Sequence, residues 1–314
     1  MTSVHGHFAW YELLTTDIAA AQAFYQQVLG WGAQDASTAK FAYRVLTSDG
    51  APVSGLMALP PEGISRGAAP RWAGYVAVDD LDASVSRLRT LGGTVYVPPT
   101  DSNIGRIAIV ADPQTASLAL VQGLNIPLPP KDGNKIGRVG WHELLAADRR
   151  QAFAFYEGLL GWQTAGSDAS LADGYQLFAA GADTLGGMFT KLPRAPFPFW
   201  LYYFNVADLT VALQRVTTLG GKVVQGPIHL PDGIWIARCI DPQGAMFALQ
   251  GERPGATSAD LPPLEIGWAA EWGGFASRGR LVEKRAPASK PAPAAPRSAS
   301  SNKPSSKEPP SKTR

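Results

Sequence analysis

The chain of 314 residues contains one cysteine, Cys239. That excludes an intrachain disulfide and any metal site built on thiolates, and it fits a reducing compartment. Charge is also scarce. Asp, Glu, Lys and Arg make up 17% of the residues against 45% hydrophobic, which excludes a fully disordered or coiled-coil protein. The 28 basic and 26 acidic residues nearly cancel, so overall charge gives no reason to expect a polyanion as the main partner. No apolar run approaches the roughly 18 residues of a membrane helix. The opening MTSVHGHFAWYELL lacks a basic segment followed by a long apolar core, and the expectation is a soluble, cytoplasmic protein with no membrane partner. No Gly-x-Ser-x-Gly elbow occurs, and no Lys-Ser/Thr follows the paired glycines at 92–93 and 186–187. Nucleophilic catalysis and phosphate-loop chemistry therefore gain no support, and the paired glycines read as helix caps and turns.

What charge there is lies unevenly. Residues 286–314 hold seven Pro, seven Ser, six Ala, six basic residues and one Glu, with no aromatic or branched aliphatic side chain. Such a segment cannot bury enough surface to offset its ordering entropy. It reads as a disordered basic tail, either a solvated face or a tether to an acidic partner or nucleic acid. Residues 254–285, with Trp268, Trp272 and Phe275 among glycines, read as an extension or strap packing back onto the body.

The rest is a duplication. WYELLTTD at Trp10 and FYQQVLGW at Phe24 return as WHELLAAD at Trp141 and FYEGLLGW at Phe155, a constant offset of 131. Trp72 and Tyr75 return as Trp200 and Tyr203, and Asp112-Pro113-Gln114 as Asp241-Pro242-Gln243. The two copies span residues 1–126 and 136–253, joined by a Pro- and Gly-rich linker at 127–135. A fainter repeat sits inside each copy, starting at Asp17, Asp80, Asp148 and Asp208. Each Asp can cap a helix, and Asp148 with Gln151 matches a capping box. Ile18, Ala21, Tyr25 and Val28 fall on one helical stripe, Leu-Gly closes each helix, and about three β-branched strands follow. The fold class is α+β, with four βαβββ units in two pseudo-symmetric lobes.

Paired βαβββ units with FY-x-x-x-LGW openings and Asp-Pro-Gln closings resemble the vicinal oxygen chelate superfamily of glyoxalase I, bleomycin-resistance proteins and extradiol dioxygenases. The resemblance covers residues 8 to about 251. It implies that each pair of units curls its sheet around a cavity, where enzymes hold a divalent metal with His, Glu or Gln. It places those ligands on the first and last strands, at Trp10, Ala73 and Ala119 in one copy and Trp141, Leu201 and Ala248 in the other. None of these side chains offers a metal donor, so no metal ligand and no cofactor is expected.

Strand alternation extends the site, because residues two apart share a face. With Trp10 and Trp141 pointing inward, so do Glu12 and Glu143. Tyr75 and Tyr203 follow Ala73 and Leu201, and Gln250 follows Ala248. A desolvated glutamate can serve as a base, which makes Glu12 and Glu143 the candidate catalytic residues; their structural alternative is a hydrogen bond to the tyrosines or backbone. Trp10, Tyr75, Trp141, Tyr203 and Gln250 are the candidate ligand-binding residues. His142 joins them although it lies one position off the inward parity, since it stands opposite Tyr11 and distinguishes the second cavity. That cavity is expected to be the more polar and, if one lobe works alone, the working one. His5, His7 and His229 share no ligand spacing.

The leading expectation is a protein that binds a small aromatic or apolar molecule without the usual metal. The alternative is a lyase, isomerase or dioxygenase with non-standard metal ligands or a glutamate base; a scaffold acting through its tail is the third class. With both lobes in one chain, a monomer is expected.

Overall fold

The computed structural model describes residues 4–39, 41–65, 67–126, 135–166, 174–192, 195, 197–230 and 233–255. The basic tail, nearly all of the 254–285 extension and all but Lys135 of the linker lie outside them.

Each copy builds one eight-stranded sheet. The first runs β1 (Phe8–Thr15), α1 (Ile18–Leu29), β2 (Gly32–Asp35), β3 (Tyr43–Ser48), β4 (Ala51–Ala58), a short α2 (Pro61–Ser65), then β5 (Arg71–Ala77), α3 (Leu81–Thr90), β6 (Thr94–Ser102), β7 (Gly105–Ala111) and β8 (Ser117–Gln122). The second runs β9 (Val139–Ala146), α4 (Arg149–Leu160), β10 (Gln163–Thr164), β11 (Tyr175–Ala180), β12 (Asp183–Thr190), then β13 (Phe199–Val206), α5 (Leu209–Thr218), β14 (Lys222–His229), β15 (Trp235–Ile240) and β16 (Met246–Gly251). The four βαβββ units are thus all present. Strand order is β2-β3-β4-β1-β5-β8-β7-β6 in one sheet and β10-β11-β12-β9-β13-β16-β15-β14 in the other. The first strands of paired units meet at the centre, antiparallel.

The helices form where the caps demand. Asp17, Asp80, Asp148 and Asp208 each accept a backbone N–H of the first turn. Gly30 and Gly161 end α1 and α4 in the left-handed region, φ 71° and 70°, which glycine alone adopts without cost. The expected stripe on α1 buries Ala21, Tyr25 and Val28, with Phe24 and Leu29 added, while Ile18 is only half-buried.

The capping box at Asp148 does not close as expected. Gln151 Nε2 bonds the Asp148 carboxylate rather than its backbone N–H, because that N–H already donates to Gln114 Oε1 at 2.7 Å. Gln114 comes from the other module, and its Nε2 donates to the Asp148 carbonyl at 2.8 Å. The mirror contact holds: Asp17 N–H donates to Gln243 Oε1 at 2.8 Å, and Gln243 Nε2 returns to the Asp17 carbonyl at 2.8 Å. Each Asp-Pro-Gln motif therefore clamps the helix entry of the opposite module. Such reciprocity is the mark of a twofold relation, here between two halves of one chain. A shared apolar core spans both modules, while each sheet keeps a separate apolar cluster on its other face.

Candidate functional site

Those separate clusters contain the aromatic and aliphatic residues singled out by parity. On the first sheet Trp10, Tyr75 and Ala119 pack with Ala73, since Trp10 pairs with Tyr75 and Tyr75 with Ala119 in register. On the second, Tyr203, Leu201 and Ala248 cluster with Trp141. The ligand positions implied by the resemblance are thus brought together, and their side chains supply an indole, methyl groups and an isobutyl group. Among the described residues no group of three His, Cys, Asp or Glu side chains could hold a metal. The donor set does not fit a divalent ion.

What the sheets hold instead is a hydrogen-bonded carboxylate. Tyr43 donates its phenol to Glu12 Oε1 at 2.5 Å, and Tyr75 donates to Oε2. Trp10 Nε1 donates to the Tyr43 oxygen at 3.3 Å. The second module repeats this: Trp141 to Tyr175 at 3.0 Å, Tyr175 to Glu143 Oε1 at 2.9 Å, Tyr203 to Oε2 at 2.5 Å. Glycine makes the geometry possible. Glu12 lies beside Gly55 and Glu143 beside Gly187 on parallel neighbouring strands. A Cβ on Gly55 would stand 2.0 Å from the Tyr43 oxygen, and one on Gly187 2.4 Å from that of Tyr175. Gly186 and Gly187 accordingly lie inside β12 rather than in the cap or turn expected for them.

The two sites then diverge. Arg238, fully buried, donates Nη2 to Glu143 Oε2 at 2.7 Å, Nε to the Tyr203 oxygen at 3.2 Å and Nη1 to Gln225 Oε1 at 3.1 Å. Ile109 and Val97 hold the equivalent places in the first module, as the register shows: Arg238 opposes Ala248 and Gln225, while Ile109 opposes Ala119 and Val97. Among the described residues no cation lies within ion-pair distance of Glu12, which is 3% exposed. Burial raises its pKa above the ordinary carboxylate value, against the opposing hydrogen bonds from Tyr43, Tyr75 and Trp10.

Glu12 lines a pocket of about 550 Å³, together with Tyr75, Arg71, Asp101, Met57 and Ile107 among others. The exposed rings of Phe41 and Tyr96 line it too. Glu143 by contrast is 0% exposed. The second site adds an internal ion pair, Arg238 with Glu143, while the pocket opens on Glu12 of the first.

His142 lies elsewhere. Its ring stacks on Phe8 at 3.9 Å between centroids, on the face shared by the two modules. Nδ1 stands 2.6 Å from the Leu185 carbonyl, so it carries the proton, and Nε2 accepts from the Tyr11 hydroxyl at 2.6 Å. Burial lowers its pKa to about 4. The off-parity position thus puts it in the interface, not in a cavity. Gln250 keeps the inward parity, but its Nε2 donates to Asn205 Oδ1 at 2.6 Å at the strand end. Four polar participants escaped the sequence reading. Tyr43 and Tyr175 recur between the copies one residue off the main offset, a findable signal; Arg238 and Gln225 are residues by which the copies differ.

The model of the Glyoxalase/Bleomycin resistance protein/Dioxygenase superfamily matches residues 6–118 and 135–249. The chain is 33% identical over 249 residues to "Putative glyoxylase CFP32" of Mycobacterium bovis, covering 78% of this chain and 94% of that one. It is 36% identical over 122 residues to "Anthracycline biosynthesis protein DauV" of Streptomyces sp. (strain C5), 39% of this chain and 43% of the other. In fold it resembles the Mn(II)-bound glyoxalase from Novosphingobium aromaticivorans, with TM-score 0.58, 14% identity and coverage of 87% and 93%. It likewise resembles 2,2',3-trihydroxybiphenyl 1,2-dioxygenase from Sphingomonas wittichii strain RW1, with TM-score 0.55, 15% identity and coverage of 79% and 91%.

Proposed function

The chain belongs to the Glyoxalase/Bleomycin resistance protein/Dioxygenase superfamily, and on that premise we propose that it binds a small, largely apolar aromatic molecule in its first module without a metal. The observation that carries this reading is the pocket at Glu12. Its volume of about 550 Å³ suits a drug-sized ligand, for which pockets run about 300–1,000 Å³. Its lining mixes apolar side chains with a few convergent polar groups, the composition that gives affinity from burial and orientation from hydrogen bonds. Relatives named for anthracycline biosynthesis agree with an aromatic ligand. Glu143, closed off by Arg238, is left with a structural role. The reciprocal clamps inside one chain support a monomer.

A titration with 2-naphthylmethanol, followed by methyl NMR of the full chain, tests this. Expected are shifts at Met57, Ile104 and Ile107, which line the pocket, and none at Leu145, Leu177 and Ile236 of the second cluster. Shifts confined to the second cluster would overturn the assignment.

The raised pKa of Glu12 favours a second reading, in which that carboxylate is a metal-free general base. Glu12→Gln would then lower turnover of a substrate by about two to four orders of magnitude.

A further inference from the structure

The two modules pose one carboxylate in two electrostatic settings. In each, a glutamate accepts a tyrosine hydroxyl on either oxygen, and in each a tryptophan N–H steadies one of those tyrosines. A carboxylate has about four acceptor sites, so two remain. In the second module Arg238 takes one at 2.7 Å, braced by Gln225. In the first module Ile109 and Val97 stand where Arg238 and Gln225 would be, and both line the pocket that opens on Glu12. Among the described residues the site therefore has the acceptor without a counterpart of Arg238, and the side chains in that place border the pocket.

We propose that the occupant of the first-module pocket carries a cationic nitrogen, an amine or amidine on an aromatic body, and sets it on Glu12 as Arg238 sits on Glu143. This rests on the binding reading above and names the ligand class for the same pocket. Among the described residues that line the pocket, Asp101 adds a second carboxylate and Arg71 a guanidinium, with Arg106 opposite Asp101 on the paired strand. Arg71 lines the same pocket but is not within ion-pair distance of Glu12. Tyr75, Tyr96 and Phe41 also line the pocket, and aromatic rings attract a cation placed over them. An ammonium removed from water needs a paired, hydrogen-bonded anion, and Glu12 is that anion. A neutral ligand of the same shape can donate a hydrogen bond at most, and leaves the charge of Glu12 uncompensated.

The test is calorimetry on the full chain at pH 7.5 with three matched probes: 2-naphthylmethylamine, 2-naphthylmethanol and 2-naphthoate. The amine is expected to bind at least about tenfold more tightly than the alcohol. Glu12→Gln should bring their Kd values to within about twofold of each other. Ile109→Arg, which supplies the missing cation from the chain itself, should also remove the preference for the amine. Equal or weaker binding of the amine to the unaltered protein, or a preference that survives Glu12→Gln, would overturn the cationic anchor while the binding of the alcohol left the pocket assignment standing. Tightest binding of the naphthoate would give the anchoring role to Arg71 and overturn the proposal. Failure of all three probes to bind would overturn the pocket reading itself. The comparison on the unaltered protein decides the matter even where a variant fails to fold.

Discussion

Tyr25 of the first module donates its hydroxyl to Asp241 Oδ2 of the second at 3.0 Å, and Tyr156 makes the mirror contact with Asp112 at 3.2 Å. Each tyrosine oxygen also accepts from a tryptophan, Trp72 at 3.0 Å and Trp200 at 3.2 Å. The Phe-Tyr and Asp-Pro-Gln motifs that mark the repeat are thus two sides of one interface. Trp31 and Trp162, the last residues of the LGW motifs, complete it by donating to the carbonyls of Gly137 and Gly6 across the same divide.

Tyr25→Phe keeps the ring but leaves the Trp72 indole N–H and an Asp241 oxygen buried without this partner. A loss of about 1–3 kcal/mol in urea unfolding is expected, with Tyr156→Phe costing about as much. A loss near zero for both would mean that packing alone joins the modules.

Arg238→Met should be more damaging. Removing one member of a buried ion pair strands the other, at about 3–5 kcal/mol. The double variant Arg238→Met, Glu143→Gln should recover a large part of that, since no buried charge remains. A double-mutant cycle by chemical denaturation checks it; additive losses would count against the pair acting as a unit.

At Glu12 the sign runs the other way. Its folded pKa lies above the ordinary 4.5 because burial disfavours the charge, so the fold favours the protonated form. Its contribution to stability is full below about pH 4.5 and is lost as pH rises through the folded value. Urea midpoints of the wild type should therefore fall relative to Glu12→Gln as pH goes from 4.5 to 8. A constant difference would show that Glu12 titrates normally.

Gly55→Ala places a methyl group on the Tyr43 hydroxyl and should displace it from Glu12, at about 1–3 kcal/mol. Combining it with Tyr43→Phe should cost less than the sum, because both act on one contact. Full additivity would locate the strain elsewhere.

The ligand positions on both sheets carry no metal donor, so binding of 2-naphthylmethanol should be unchanged after exhaustive dialysis against EDTA. Loss of binding that returns with Mn(II) or Zn(II) would refute the metal-free reading.

The sequence by itself determined the four βαβββ units, because Asp caps, helical stripes and Leu-Gly stops are local signals whose physics is complete within a dozen residues. It also determined which side chains face inward on the central strands, since alternation along a strand needs no partner: Trp10, Glu12 and Tyr75 lie where parity puts them. Only the tertiary structure decided what neutralises each glutamate. Arg238 reaches Glu143 from 95 residues away, across strands whose pairing order β9-β13-β16-β15 no local pattern states. The same holds for His142, whose place is fixed by Phe8 of the other module. Burial and charge pairing depend on which distant segments meet, so the difference between an occupied carboxylate and an open one appears only when the chain is folded.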